Sequence, residues 1–108
     1  MALRAVTDHP KFYELKNRLG VTRHTALGIL EAVWHFAGRF TPQGNIGKYS
    51  DSAIESWVEW EGEPGAMVAA LVASQWLDAD FEHRILVHDW QQHADKSTKQ
   101  ALTRAGLD

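Results

Sequence analysis

The residues best equipped for chemistry lie towards the end of the chain, where His88, Asp89 and His93 crowd into Val87-His88-Asp89-Trp90-Gln91-Gln92-His93. Imidazoles and a carboxylate at short range are the donors of a divalent-metal site or the parts of a general acid–base pair. In a strand, however, His88 and Asp89 point to opposite faces. A His-x4-His spacing across a strand end fits no standard zinc pattern, so neither a metal nor another cofactor is expected. His88 reads instead as a hydrogen-bonded strand histidine, with Trp90 closing the core. His35, between Trp34 and Phe36, reads as a satisfied core or boundary histidine. Asp78 and Asp80 fall on one side of a strand, as paired catalytic carboxylates can, but beside an exposed turn. Cysteine is absent, which removes disulfides, thiolate catalysis and cysteine-based metal sites. With no Gly-rich phosphate loop and no nucleophile motif, the chain is not expected to be an enzyme.

Binding chemistry rests on cations and aromatic rings. Lys11, Lys16, Arg18 and Arg23 lie on and after the first helical stretch, and Lys96, Lys99 and Arg104 lie near the end. Lys16 and Arg18, two apart, cannot share a helix face. Scattered cations are by default a solvated surface; as phosphate contacts, the candidates are Lys11, Lys16, Arg23, Lys48 and Arg84. A protein interface is the competing use. Ala66, Ala69, Ala70 and Ala73 would let a second helix approach closely, and Trp57 with Trp60, three apart, would place an aromatic ring on the same surface. The alternatives are that both tryptophans belong to the core and that the alanines are simply good helix formers.

The elements that must position these residues are legible from period and punctuation. Asp8-His9-Pro10 starts a helix, with Asp8 as cap and Pro10 in the first turn; Phe12, Leu15 and Leu19 mark its apolar face, and Gly20 stops it. Thr22 caps a second helix reaching Phe40. Its apolar residues cover over half its circumference, as expected of a central, mostly buried helix. Thr41-Pro42-Gln43-Gly44-Asn45 is loop, and Ile46 to Tyr49 is expected to form a short strand. Ser50 or Ser52 starts a third helix, the latter through a capping box with Glu55; Ile54, Trp57, Val58 and the stem of Glu61 make its inner face. After the Gly62-Glu63-Pro64 connection, Pro64 to Gln75 reads as a helix of about three turns. Trp76–Asp80 and Arg84–Trp90 then flank the turn Phe81-Glu82-His83 as a hairpin. The remainder is a polar, weakly helical tail.

At 108 residues the chain fits one domain,. Its start is too short in apolar residues for a signal peptide, and no run approaches the ~18 apolar residues of a membrane span, so a cytoplasmic protein with no membrane partner is expected. Net charge is −3, distributed unevenly: Tyr49 to His83 carries −8, with no lysine or arginine, and the remainder carries +5. Such asymmetry bears on association rather than on fold.

Several stretches carry a resemblance: His9-Pro10-Lys11, Gly28-Ile29-Leu30-Glu31-Ala32-Val33-Trp34, Gly44-Asn45-Ile46-Gly47, Leu71-Val72-Ala73-Ser74-Gln75-Trp76-Leu77-Asp78 and, most specifically, Val87-His88-Asp89-Trp90-Gln91-Gln92-His93. Over roughly residues 9 to 93 the chain resembles the N-terminal modules of phage-type replication proteins, the DnaD-like or replisome-organiser family. The resemblance implies an α+β fold, a winged helix-turn-helix with a small antiparallel wing over residues 1–93, and a tail or linker over 94–108. It implies a DNA-replication initiation module that binds nucleic acid and assembles, with DNA and a helicase or its loader as partners. A homo-oligomerisation or partner-docking domain, as a homodimer for example, is the alternative. The helix entering a major groove would be Pro64–Gln75, which has no Lys or Arg and only Ser74 and Gln75 to reach a base edge. The turn is acidic, with Arg84 alone opposing. That composition argues against a base-reading transcriptional regulator.

Overall fold

Seven residues of one long helix, Ala26, Ile29, Leu30, Val33, Trp34, Phe36 and Ala37, are buried, because apolar side chains on that much of its circumference can leave water only if neighbours cover it from several sides. The computed structural model describes residues 9–90. In chain order the elements are α1 (Pro10–Leu19), α2 (Arg23–Phe40), one 3-10 turn (Ile46–Lys48), α3 (Asp51–Val58), α4 (Ala66–Ala73), β1 (Leu77–Asp80) and β2 (Arg84–Val87). The fold is mixed α+β, with four α-helices and a two-stranded antiparallel sheet among the described residues. Helix α1 packs on α2 and α4, α3 packs on α2 and α4, and the hairpin joins α4 through β1 and the 3-10 turn through β2. None of the described helices is long and apolar enough to cross a membrane. Asp8, His93 and the expected tail lie outside the described residues.

The helix boundaries follow from local chemistry. His9 rather than Asp8 is the residue at the N-cap of α1, its Nδ1 accepting the Lys11 N–H at 3.2 Å. Gly20, at φ 67°, ends that helix in the left-handed conformation expected of it,. Thr22 caps α2 through the Thr25 N–H. Ser50, not Ser52, caps α3, its hydroxyl accepting the Ala53 N–H at 3.1 Å.

The capping box expected between Ser52 and Glu55 is therefore not made, and Glu55 serves the next helix. Its side chain, only 6% exposed, accepts the Gly65 N–H on Oε1 at 2.8 Å and the Val68 N–H on Oε2 at 3.1 Å. Two amides at the start of α4, which have no partner inside that helix, are thus satisfied by a carboxylate placed at the positive end of its dipole. Helix α4 is also shorter than expected, eight residues rather than about three turns. Gly65 at φ 85° turns the chain after Pro64, so the helix starts at Ala66, and Gln75 at φ 67° stops it. The Ser74 hydroxyl, donating to the Ala70 carbonyl at 2.6 Å, seals that end.

The hairpin pairs Leu77 with Val87, Asp78 with Leu86, Ala79 with Ile85 and Asp80 with Arg84, around the turn Phe81-Glu82-His83. Asp80 Oδ2 accepts the N–H groups of Glu82 and His83 at 3.0 and 2.7 Å, giving the turn a side-chain scaffold,. Strand β2 ends at Val87 instead of Trp90, and Asp89 at φ 49° bends the chain so that Trp90 folds under the sheet. There its indole donates to the Pro42 carbonyl at 2.7 Å. Trp90 is buried against Gly44, where any Cβ would stand 2.7 Å from the indole.

The strand expected over Ile46–Tyr49 is instead the 3-10 turn. Its amides are used locally: Lys48 N–H donates to Asn45 and Tyr49 N–H to Ile46, which leaves no ladder to form. One sheet-like bond survives, from Val87 N–H to the Gly44 carbonyl at 2.9 Å. Gly47 lies against the backbone of β2, where a Cβ would collide with Ile85 N and His83 O.

Two substitutions test these ties by denaturant melts. Glu55→Ala leaves two amides without a buried acceptor and is expected to cost about 2–3 kcal/mol, with Glu55→Gln, which keeps one carbonyl oxygen, losing roughly half as much. Gly47→Ala is expected to destabilise by at least about 1 kcal/mol, because the obstacle it meets is backbone; an unchanged midpoint would contradict the close approach.

Candidate functional site

Of the cations expected to meet phosphate, three are committed inside the molecule. Arg84 donates from Nε to the Gly47 carbonyl at 3.0 Å, from one terminal nitrogen to the Tyr49 carbonyl at 2.5 Å and from the other to Asp51 Oδ1 at 2.6 Å. It clasps the 3-10 turn and the start of α3 to the hairpin. Lys11 donates to the Gln75 carbonyl at 3.0 Å and sits 4.3 Å above the ring of Trp76. Burial holds its ammonium below the usual pKa, with Asp89 and Asp78 opposing that shift,. Arg23 donates to the Tyr13 hydroxyl at 2.8 Å, and Arg18, outside the candidate set, pairs with Glu14. Among the described residues, Lys16, Lys48 and Arg39 make no ion pair.

The surface expected to combine alanines and tryptophans comes apart. Ala69 and Ala73 are exposed and Ala66 is half-buried, but Ala70 is 7% exposed and belongs to the core with Met67, Val68 and Leu71. The tryptophans are separated by Glu59, whose φ of 66° ends α3 between them, so Trp60 does not follow Trp57 at helical spacing. Trp60 donates its indole N–H to the Glu63 carbonyl at 3.0 Å. It lines a groove of about 500 Å³ with Leu19, Val21, Ile29 and Val58, bordered by Glu59 and Glu61.

Trp57 turns the other way, onto the C-terminal half of α2. Its ring centroid is 5.6 Å from that of Phe36, 6.1 Å from Phe40 and 6.4 Å from His35. Tyr49 completes the group, 5.3 Å from Phe36 and 6.3 Å from Phe40. Phe36 is the buried centre, and Phe40 and Trp57 are 36% and 39% exposed. Two cations flank these rings: the Arg39 guanidinium 5.5 Å from the Phe40 centroid and the Lys48 ammonium 5.7 Å from that of Tyr49. Aromatic faces beside mobile positive charge can stack planar groups and neutralise phosphate. Of this group, the sequence points to Lys48 as a phosphate contact and to Trp57 as an interface residue, but not to Arg39, Phe40 or Tyr49. The signal was a repeated basic–aromatic dipeptide, Arg39-Phe40 and Lys48-Tyr49, at the two ends of one loop.

At the root of the hairpin, His88 Nδ1 lies 2.8 Å from Asp78 Oδ2 and Nε2 lies 3.3 Å from Asp89 Oδ2. His88 is hydrogen-bonded as expected, but it lies in the turn after β2, which ends at Val87, rather than in the strand. His35 is exposed rather than buried. Among the described residues, no group of three His, Asp or Glu side chains is arranged to hold a metal ion.

The Lys11 environment has a pH signature. Because burial lowers its pKa in the fold, the unfolded chain binds the proton more readily, and the resulting penalty is constant below the lowered folded pKa. It is relieved as pH rises from there towards the ordinary value of 10.5,. Measured against Lys11→Met, the wild-type chain is expected to gain stability through that alkaline window; a flat or falling difference would contradict the partial desolvation of the ammonium. In comparisons with known proteins, no family model, no curated protein and no solved structure matches the chain.

Proposed function

We propose that this chain is a winged-helix module of a phage-type DNA-replication initiation protein, acting in the cytoplasm as a binding domain rather than an enzyme. Helix, short connection, helix and hairpin in direct succession, α3–α4–β1–β2, is the order of the second half of a winged helix, and it agrees with the family resemblance of the sequence. The wing is the hairpin, and the 3-10 turn beside β2 stands where many such folds place a third strand.

The observation that carries a nucleic-acid role is one aromatic cluster with cations at its margin: Arg39 beside the exposed ring of Phe40 and Lys48 beside the half-buried ring of Tyr49, with the exposed ring of Trp57 packed against Phe40. The usual docking helix does not support the role. Helix α4 has no cation, and Asp80 and Glu82 make the hairpin tip repel phosphate,. Contact through the C-terminal end of α2 and the turn after it leaves α4, with Ala69 and Ala73 exposed, for a helicase, its loader or a second copy.

Titration with labelled DNA at several salt concentrations tests this reading. Affinity is expected to fall with salt, and Arg39→Gln with Lys48→Gln together are expected to reduce the log–log slope by about 2. No binding at low salt, combined with a concentration-dependent dimer by sedimentation, would replace it with homo-oligomerisation.

A further inference from the structure

We infer that the aromatic face between α2 and α3 is a single-strand site, on which unpaired bases stack against Trp57 and Phe40 while Arg39 and Lys48 hold the adjoining phosphates. This rests on the nucleic-acid reading above and specifies its ligand. Stacking needs a base whose face is free, which a duplex withholds and a single strand offers.

Three features favour a stacked, phosphate-bearing ligand on this face. The rings are supported from behind: Phe36, 4% exposed, holds Phe40, Tyr49 and Trp57 at centroid distances of 5.1 to 5.6 Å, so a stacking base meets a platform already ordered. The cations sit at the margins of that platform, beside Phe40 and Tyr49. Asp51, which begins α3 next to this face, is already neutralised by Arg84 at 2.6 Å. By contrast, the groove beside Trp60 is bordered by Glu59 and Glu61, which would repel a phosphate chain.

The experiment uses a labelled oligothymidylate of about 16 nucleotides and a duplex of equal length, with the unmodified chain and with Trp57→Leu, which keeps apolar bulk against Phe36 but has no π face. The oligothymidylate is expected to bind more tightly than the duplex, and Trp57→Leu to weaken it roughly tenfold. A bromouracil-substituted strand, irradiated on the unmodified chain, is expected to crosslink to Trp57, Phe40 or Tyr49. That measurement decides the matter even if the variant fails to fold. Equal duplex binding with crosslinks mapping elsewhere would overturn the single-strand site and leave the nucleic-acid reading standing; binding of neither strand form at low salt would remove both.

Discussion

The Glu55 carboxylate is the tie on which the arrangement of the second half of the molecule depends. A nearly buried charge is costly unless its hydrogen bonds are satisfied, and here both oxygens take amides at the start of a helix ten residues further on. The bonds are directional, so they fix where α4 begins relative to α3 as well as stabilising its first turn. Met67, Val68 and Leu71 are then buried in the core, with α4 packed on α1 and α3, and β1 leaves α4 at a set position. A hydrophobic contact would provide adhesion here but not this register.

Arg84 plays the corresponding part for the hairpin. At φ 68° it closes the turn after His83, and its guanidinium reaches two carbonyls and one carboxylate on segments more than thirty residues earlier. A planar group with donors in a fixed fork suits that task. The same bonds explain why a cation at the wing does not by itself indicate a phosphate contact: three of its five N–H donors are already used within the chain,. Lys11 repeats the pattern at Gln75 and Trp76. What remains for an external anion is the set of charges that the fold does not consume, and Arg39 and Lys48 are the pair it sets at the margin of the aromatic cluster, beside Phe40 and Tyr49.

Features that depend on neighbouring residues were legible in the sequence. Gly20 as a left-handed stop, Thr22 as a cap, the extent of α2 and the antiparallel pairing about Phe81-Glu82-His83 all follow from local period and turn chemistry. Features that depend on distant partners were not. Ser52 and Glu55 have the spacing of a capping box, but Gly65 and Val68 compete for the same carboxylate and win it. Ile46 to Tyr49 has strand-like residues, but Gly44 and Gly47 let the backbone close on itself and approach β2 more nearly than a side chain would permit. Trp57 and Trp60 share a helical interval only if the helix continues, and Glu59 in the left-handed region ends it. The aromatic face is assembled across a loop, and its one sequence signal, the repeated basic–aromatic dipeptide, does not by itself say that the two copies meet.

The two-stranded sheet has one side closed by the 3-10 turn, through the Gly44 carbonyl and the tight seat of Gly47. The other side is β1, four residues long, with Asp78 and Asp80 half-exposed along it. Open strand borders recruit further strands from other molecules, and short length with like charge is a common defence against that recruitment. Among the described residues no further strand pairs with β1, and two copies meeting along it would bring four carboxylates together in a small space, a like-charge arrangement that opposes edge-to-edge pairing,.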